Sequence, residues 1–158
     1  MVSAAEFRQV CGQFATGITI VTTVAGDGSP QGMTANSFTS VSLEPPIVLV
    51  CVDLRAGRML ECFEQAGRFA VNVLAESQKE LSNRFARQGL DRFEGVSFEQ
   101  GTSGMPLLPG SLATMECVIR RSVDAGDHRI LLGEVTAAAI QAGVPLLYYG
   151  SGYRLLSD

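Results

Sequence analysis

GMTANSFTSVSLEPPIVLVCV, residues 32–52, joins a polar stretch of small side chains to an almost wholly apolar one, and this change indicates the fold. In a strand, alternate side chains point to opposite faces. Residues 34–41 then place Thr, Asn, Phe and Ser on one face and Ala, Ser, Thr and Val on the other, so neither face suits a core. Residues 47–52 have no polar alternation and are predicted to form a strand buried on both faces.

The polar stretch predicts either a ligand site or a solvated edge. Gly32 and the small residues after it allow backbone N–H groups to approach a flat polar ligand, and the hydroxyl and amide side chains supply donors. The same Ser- and Thr-rich pattern is common at the edge of a sheet. From the residues alone, both interpretations stay open.

The composition predicts a single domain, residues 1–158. The chain has 46% hydrophobic content, enough to bury a core at this length. Its net charge of -4 argues against nucleic-acid binding, which normally needs clustered Lys and Arg. No apolar run reaches the ~18 residues of a membrane span, and no basic segment precedes an apolar signal core. We expect a cytoplasmic protein without membrane or nucleic-acid partners.

Cysteine and histidine are too sparse to predict a metal site. Cys11, Cys51, Cys62 and Cys117 form no C-x-x-C pair, and the chain has a single histidine. Each cysteine lies among apolar neighbours, so reduced, packed thiols are favoured over disulfides or a nucleophile. We expect no metal ligands and no thiol chemistry.

Local patterns predict the N-terminal elements. A capping box of Ser3 and Glu6 starts a helix that ends near Phe14, with Val2 placed to pack on Phe7. The β-branched run at 18–24 predicts a strand, and the turn residues at 26–30 predict a hairpin into the polar segment.

Helices and strands alternate beyond the apolar strand. Residues 57–66 have helical spacing, and 69–74 are a predicted strand. Ser77 and Glu80 repeat the capping-box pattern and predict a helix through about Arg87. Residues 89–110 are rich in Gly, Ser and Pro and predict an irregular connection with one short strand at 96–99.

Strands dominate from residue 111 onward. The segments 112–123, 129–140, 145–150 and 152–156 are predicted strands separated by turns. Short strands with few helices favour a mainly β protein, an antiparallel barrel with flanking helices, over a βαβ sheet. No glycine-rich fingerprint follows a strand and opens a helix, so a Rossmann nucleotide domain is not supported.

Several blocks in order resemble the flavin reductase-like family, the short-chain NAD(P)H:flavin oxidoreductases of two-component monooxygenases. They span nearly the whole chain: FATGITIVTT (14–23), GMTANSFTSVSLEPPIVLVCVD (32–53), FAVNVL (69–74), LSNRFA (81–86), GDH (126–128), GEV (133–135) and PLLYYGSGYR (145–154). The resemblance implies an FMN-binding split β-barrel, Greek-key and antiparallel, that is usually a homodimer.

The resemblance also implies a set of site residues. For the flavin ring it points to Thr34, Ala35, Asn36 and Ser37, with Ser40 and Val41 nearby. Phosphate candidates are Arg55 and Arg58 after the apolar strand, and Arg84 and Arg87 at a helix end. This chain reads DLRAGR at 53–58, where the family often has a hydroxyl residue, so backbone donors or arginine would replace that contact. The wider cofactor-binding set adds Met33, Cys51, Val52, Asp53, Phe85 and Ala86.

The nicotinamide is assigned to the C-terminal half. His128 is predicted to lie on a turn at a sheet end, where the resemblance implies that it hydrogen-bonds and positions the nicotinamide without abstracting a proton. Tyr153 is a candidate for stacking on the ring, and Thr16 and Gly17 match a block that approaches the same site. For Tyr153, core packing is the alternative.

The implied activity is hydride transfer from NADH or NADPH to FMN or FAD, with reduced flavin passed to a partner oxygenase. Such transfer is intrinsic to the two cofactors, so the lack of a catalytic triad or carboxylate pair is compatible with it. One alternative is a non-enzymatic FMN-binding electron carrier on the same barrel. Another is an oxidase of the pyridoxamine phosphate type. The sequence does not separate FMN from FAD, or NADH from NADPH.

Overall fold

A computed structural model describes residues 1–156, so the last two residues of the predicted domain lie outside it. Three helices and twelve strands make up the described part, with 3₁₀ turns at Leu54–Ala56 and Glu76–Gln78. The helices are α1 (Ala4–Cys11), α2 (Arg58–Ala66) and α3 (Lys79–Ala86). The strands are β1 (Thr16–Gly17), β2 (Thr19–Val24), β3 (Pro30–Ala35), β4 (Thr39–Leu43), β5 (Pro46–Asp53), β6 (Arg68–Val73), β7 (Glu99–Gln100), β8 (Pro106–Leu107), β9 (Ala113–Ala125), β10 (His128–Ile140), β11 (Leu147–Tyr149) and β12 (Gly152–Arg154).

Seven strands form one antiparallel sheet in the order β3-β2-β6-β9-β10-β5-β4. Its two edges, β3 and β4, are consecutive in sequence and only residues 36–38 separate them. The four Cα–Cα steps from Ala35 to Thr39 span at most about 14 Å. A flat sheet of seven strands would instead hold its two edge strands about 29 Å apart. The sheet therefore curls until its edges approach, which confirms the predicted barrel. The pairings of β2 with β6 and of β5 with β10 join distant segments, unlike a simple meander.

The polar segment is not the continuous strand that its pattern predicts. It breaks at 36–38, where the chain passes from one sheet edge to the other. Ala35 is buried, and Phe38 packs on the barrel core with Val21, Phe63 and Leu131. The prediction that neither face joins the core is wrong, because barrel closure turns these two residues inward.

The apolar strand β5 is buried on one face only. Val48, Val50 and Val52 are 5%, 0% and 0% exposed, and the side chains between them are half-buried. The prediction of burial on both faces is wrong because the outer side of β5 carries no covering helix within residues 1–156.

Of the two predicted helix capping boxes, one is present in the structure and one is not. The Ser3 hydroxyl accepts from the Glu6 N–H, and the Glu6 carboxylate accepts from the Ser3 N–H, so the first capping box is confirmed. The helix ends at Cys11, earlier than predicted, and none of its residues is buried. The second capping box is wrong: Gln78 accepts from the Ala75 N–H at 3.0 Å, and α3 begins only at Lys79.

The connection between α3 and β9 is held by a buried carboxylate. The predicted strand at 96–99 is instead the β7–β8 pair, with Glu99 opposite Leu107. In the turn between them, Thr102 and Ser103 donate their N–H and hydroxyl groups to Glu116. Glu116 is 4% exposed, and these donors keep its pKa below the usual value although burial acts to raise it. Four donors satisfy a charge that would otherwise be costly to bury.

The long strands β9 and β10 form a ribbon joined by the turn at Gly126 and Asp127. This agrees with the strands and turn predicted for the C-terminal half. Within residues 1–156, no helix is long and apolar enough to cross a membrane.

Candidate functional site

An open cleft of about 910 Å³ lies where β3, the end of β5, α2 and α3 meet residues 88–98. This volume is within the range of small-molecule and cofactor sites. Seven of the predicted site residues line it: Met33, Thr34, Asp53, Arg55, Arg58, Phe85 and Ala86. Segments that are far apart in the sequence thus supply one concave surface.

A glycine allows α3 to approach the floor of the cleft. A Cβ on Gly32 would lie 2.9 Å from Cε1 of Phe85 and 3.2 Å from Cγ2 of Thr22. Thr34 fixes the same contact, because its hydroxyl donates to the Ser82 carbonyl of α3 at 2.6 Å. Gly32 and Thr34 therefore serve α3 packing, where the sequence pattern indicated free space and free donors for a ligand.

Aromatic rings form one wall of the cleft. Phe85 and Phe93 meet edge to face, with ring centroids 4.9 Å apart, and Phe93 meets Phe98 in the same way at 5.4 Å. Phe98 is 37% exposed and lines the cleft. Phe85 and Phe93 are only 0% and 7% exposed, so they support Phe98, and Phe98 is the ring of this wall that is open to a flat ligand.

Three arginines bring positive charge to the cleft: Arg55, Arg58 and Arg92. Arg55 is largely committed to Asp53, with Nη2 2.6 Å from Oδ2 and Nε 3.0 Å from Oδ1. These hydrogen bonds lower the pKa of Asp53 to about 2, so the carboxylate stays ionised. Arg58 at the start of α2 and Arg92 on the loop are the further cations available to an anionic group.

Arg92 is a cleft residue that sequence reasoning missed. Its Nη1 donates to the Gly32 carbonyl and its Nε to the Arg87 carbonyl, each at 2.7 Å. Partial burial lowers the pKa of its guanidinium. The Gly32 contact joins residues 60 apart, and no local pattern in the sequence signals it.

The other two predicted phosphate ligands lie differently. Arg84 uses its guanidinium to hold the loop, donating to the carbonyls of Asp91, Arg92 and Glu94 at 3.0, 2.7 and 2.6 Å. Arg87 lines a separate, smaller cavity beside Glu80. The structure does not bring either side chain to the lining of the main cleft.

The remaining residues of the polar segment lie beside the cleft and do not line it. The Ser37 hydroxyl is already used: it accepts from the Cys51 N–H at 3.0 Å and lies 3.3 Å from the Cys51 carbonyl. Asn36 is exposed, and its amide forms no side-chain hydrogen bond with residues 1–156. The predicted residues outside the lining here are Ala35, Asn36, Ser37, Ser40, Val41, Cys51 and Val52.

His128 does not line this cleft but lies on the strand next to Asp53, which does. It is the first residue of β10, and its Cα pairs with that of Asp53, which lines the cleft on the neighbouring strand. Its side chain is 42% exposed, and Nδ1 lies 2.7 Å from Oδ1 of Asp127. The predicted location at a sheet end is correct, and register places the imidazole next to the Asp53 and Arg55 pair.

Thr16, Gly17 and Tyr153 belong to a different part of the protein. They lie on the small β1-β11-β12 sheet. The Tyr153 hydroxyl is 2.9 Å from Oγ of Ser82 and donates to Asn83 at 3.0 Å, and its ring packs on Tyr148. The structure does not bring these three residues to the cleft.

Comparison with known proteins assigns the family. The sequence model described as "Flavin reductase like domain" matches residues 11–157. The chain belongs to this family.

Two curated members of the flavin reductase-like family illustrate the similarity. A probable flavin reductase of Rhizobium meliloti is 47% identical over 146 residues, which cover 92% of this chain and 47% of that protein. This chain therefore spans about half the length of that relative. The NADH-dependent FAD reductase of Streptomyces globisporus is 44% identical over 155 residues, covering 94% and 84%.

Solved structures of the family share the fold. The NADH:FAD oxidoreductase of Streptomyces globisporus, solved with NAD and FAD fragments, has a TM-score of 0.90 at 42% identity, covering 97% of this chain and 92% of that chain. The flavin reductase component of a bacterial two-component tryptophan halogenase has a TM-score of 0.90 at 40% identity, covering 99% of both chains.

The donor set of the cleft suits the ligands of the flavin reductase-like family. Phe98 and Met33 offer apolar contacts to a flat ring, and Arg58 and Arg92 offer cationic donors to a phosphate. Within residues 1–156, no group of three His, Cys, Asp or Glu residues is arranged to bind a metal ion.

Proposed function

We propose that this protein is an NAD(P)H-dependent flavin reductase that uses NADH or NADPH to reduce FMN or FAD and passes the reduced flavin to a partner oxygenase. One observation carries the proposal: a cleft lined by Phe98, Met33 and three arginines lies one strand away from the single histidine. Relatives named as flavin reductases and as the reductase subunit of a flavin-dependent monooxygenase support it.

The proposed roles divide the site into two parts. Phe98 and Met33 bind the flavin ring, and Arg58 and Arg92 bind its phosphate. The exposed Asn36 amide adds a donor near the ring, and His128 positions the nicotinamide. Because hydride transfer is intrinsic to the two cofactors, the protein need supply no acid, base or nucleophile. These side chains act by binding and orienting.

A steady-state assay tests the proposed function. Oxidation of NADH or NADPH, followed as loss of absorbance, is expected to depend on added FMN or FAD. No oxidation of either nucleotide with either flavin would refute it. His128→Ala is expected to raise the KM for the nucleotide while the flavin Kd from fluorescence quenching stays unchanged, and Asn36→Leu is expected to weaken flavin binding instead.

We also propose that the protein is a homodimer. Leu43 on β4 is 84% exposed, and Phe7, Val10 and Phe14 lie exposed on and just beyond α1, so one protomer leaves large apolar side chains in water. Sedimentation velocity is expected to give a dimer. A monomer of 16.8 kDa at micromolar concentration would refute this part of the proposal.

A cytoplasmic location belongs to the same proposal. All four cysteines are free, two of them buried, as expected of a protein kept in a reducing compartment.

A further inference from the structure

The turn between β9 and β10 is fixed against the end of β5. The Asp127 carbonyl accepts from the Leu54 N–H at 3.0 Å, and the His128 Cα pairs with those of Asp53 and Ala125. The backbone that carries Asp127 and His128 is therefore held at a defined position beside the cleft.

Within this turn, the two side chains form a directed hydrogen bond. Nδ1 of His128 lies 2.7 Å from Oδ1 of Asp127. An ionised carboxylate only accepts hydrogen bonds, so Nδ1 must carry the proton. In neutral imidazole this leaves Nε2 as an acceptor. No residue within 1–156 uses Nε2.

The neighbouring charged groups do not compete for this contact. Asp53, the other carboxylate beside His128, is bound by Arg55 at 2.6 Å. The hydrogen bond from His128 keeps the pKa of Asp127 below its usual value, so the acceptor remains ionised near neutral pH. The two neutral tautomers of imidazole differ little in energy, and a charge-assisted hydrogen bond is sufficient to select one.

We infer that Asp127 is a positioning residue: it holds His128 as the Nδ1–H tautomer, so that Nε2 accepts a hydrogen bond from the carboxamide N–H of the nicotinamide. This role rests on the proposed function. A primary amide offers both a donor and an acceptor. The opposite tautomer would present an Nε2–H donor to the amide oxygen, so Asp127 decides which half of the amide is recognised.

NMR tests the tautomer without any turnover. Because the chain has one histidine, a long-range ¹H–¹⁵N correlation spectrum shows a single imidazole. At about pH 8, well above the ordinary histidine pKa, the wild type is expected to show Nδ1–H. Asp127→Ala is expected to shift the population towards Nε2–H. Asp124→Ala removes a carboxylate that pairs with Arg129 on the same ribbon and is expected to change nothing.

A nucleotide analogue tests the acceptor role. Reduced 3-acetylpyridine adenine dinucleotide has a methyl group in place of the amide nitrogen and cannot donate. Asp127→Ala is expected to raise the KM for NADH by about 2- to 12-fold, the worth of one hydrogen bond, and to leave the KM for the analogue and the flavin Kd unchanged.

The failures of the two proposals are distinct. An unchanged tautomer in Asp127→Ala, or an equal loss with both nucleotides, would overturn the positioning role while the wild type still oxidises NADH. A wild type that oxidises neither NADH nor NADPH would overturn the proposed function, and the acceptor role with it.

Discussion

Gly32→Ala is expected to destabilise the protein although alanine fits the backbone. Gly32 does not have a positive φ, so the new side chain itself is not strained. The added Cβ would lie 2.9 and 3.1 Å from two carbons of the Phe85 ring and 3.2 Å from Thr22 Cγ2, well inside normal contact distance. Relief requires α3 to move away from β3, and this movement opens the floor of the cleft.

The magnitude follows from two opposing effects. Overpacking of a core contact costs about 1–3 kcal/mol, and replacing glycine lowers the entropy of the unfolded chain, which returns about 0.4–1 kcal/mol. A net loss of about 1–2 kcal/mol is expected, or about 2–8 °C in Tm for a chain of this length. Flavin affinity is expected to fall as well, because the movement shifts Ala86 of α3 relative to Met33 of β3, and both residues line the cleft.

Calorimetry and flavin fluorescence titration measure the two effects. Gly17→Ala is the matched control, since a Cβ there meets nothing within 4 Å and Gly17 also lacks a positive φ; its stability should be unchanged or slightly higher. Phe85→Leu combined with Gly32→Ala should cost less than the sum of the single changes. If Gly32→Ala were as stable as Gly17→Ala, the close approach of α3 would not be limiting.

Three further predictions concern Glu116, Arg92 and Tyr153. Glu116→Gln is expected to cost about 1–3 kcal/mol, because an amide N–H would face donors of the turn. The Glu116 pKa is lowered from 4.5 in the folded state, so the stabilisation that the carboxylate provides is present above pH 4.5 and is lost as pH falls through the folded pKa. In urea unfolding at a series of pH values, the free energies of unfolding of wild type and variant should therefore converge in acid. A difference that stays constant with pH would contradict this. Arg92→Met is expected to weaken FMN binding about 10- to 100-fold, the worth of a hydrogen bond to a charged group, with little effect on the binding of riboflavin, which lacks the phosphate. Equal losses of affinity for FMN and riboflavin would indicate a purely structural role for Arg92. Arg87→Met is the control variant. Tyr153→Phe should lower stability by about 1 kcal/mol by removing its hydroxyl bonds while the KM for NADH stays unchanged; a raised KM would return Tyr153 to the nicotinamide site.

Short-range signals account for what the sequence predicted well. The capping box at Ser3 joins groups three residues apart, and the strand patterns of β2, β6, β9 and β10 each lie within one segment. The prediction of a second capping box at Ser77 was wrong because the neighbouring Gln78 can also form a hydrogen bond at this helix start. Only the structure shows that the Gln78 side chain accepts from the Ala75 N–H. Local competition of this kind is decided by tertiary packing.

Long-range geometry accounts for the rest. The break at 36–38 depends on where β4, the strand at one edge of the sheet, lies relative to β3 at the other edge. The contact of Arg92 with the Gly32 carbonyl depends on how α3 packs. His128 could be placed at a sheet end by its turn, but its position next to Asp53 is a matter of register between β5 and β10. Chemistry in a motif can be read along the chain, whereas the neighbours of a residue cannot.

The position of β5 between β4 and β10 has a consequence for synthesis on the ribosome. Residues 46–53 are made early, yet half of their backbone pairing waits for residues 128–134. Until then an apolar strand has an open edge, the condition that favours aggregation of nascent chains. The cleft takes lining residues between 53 and 59 from the end of that strand and the turn after it, so this side of the cleft is fixed in place only once residues 128–134 have been made and have paired with β5.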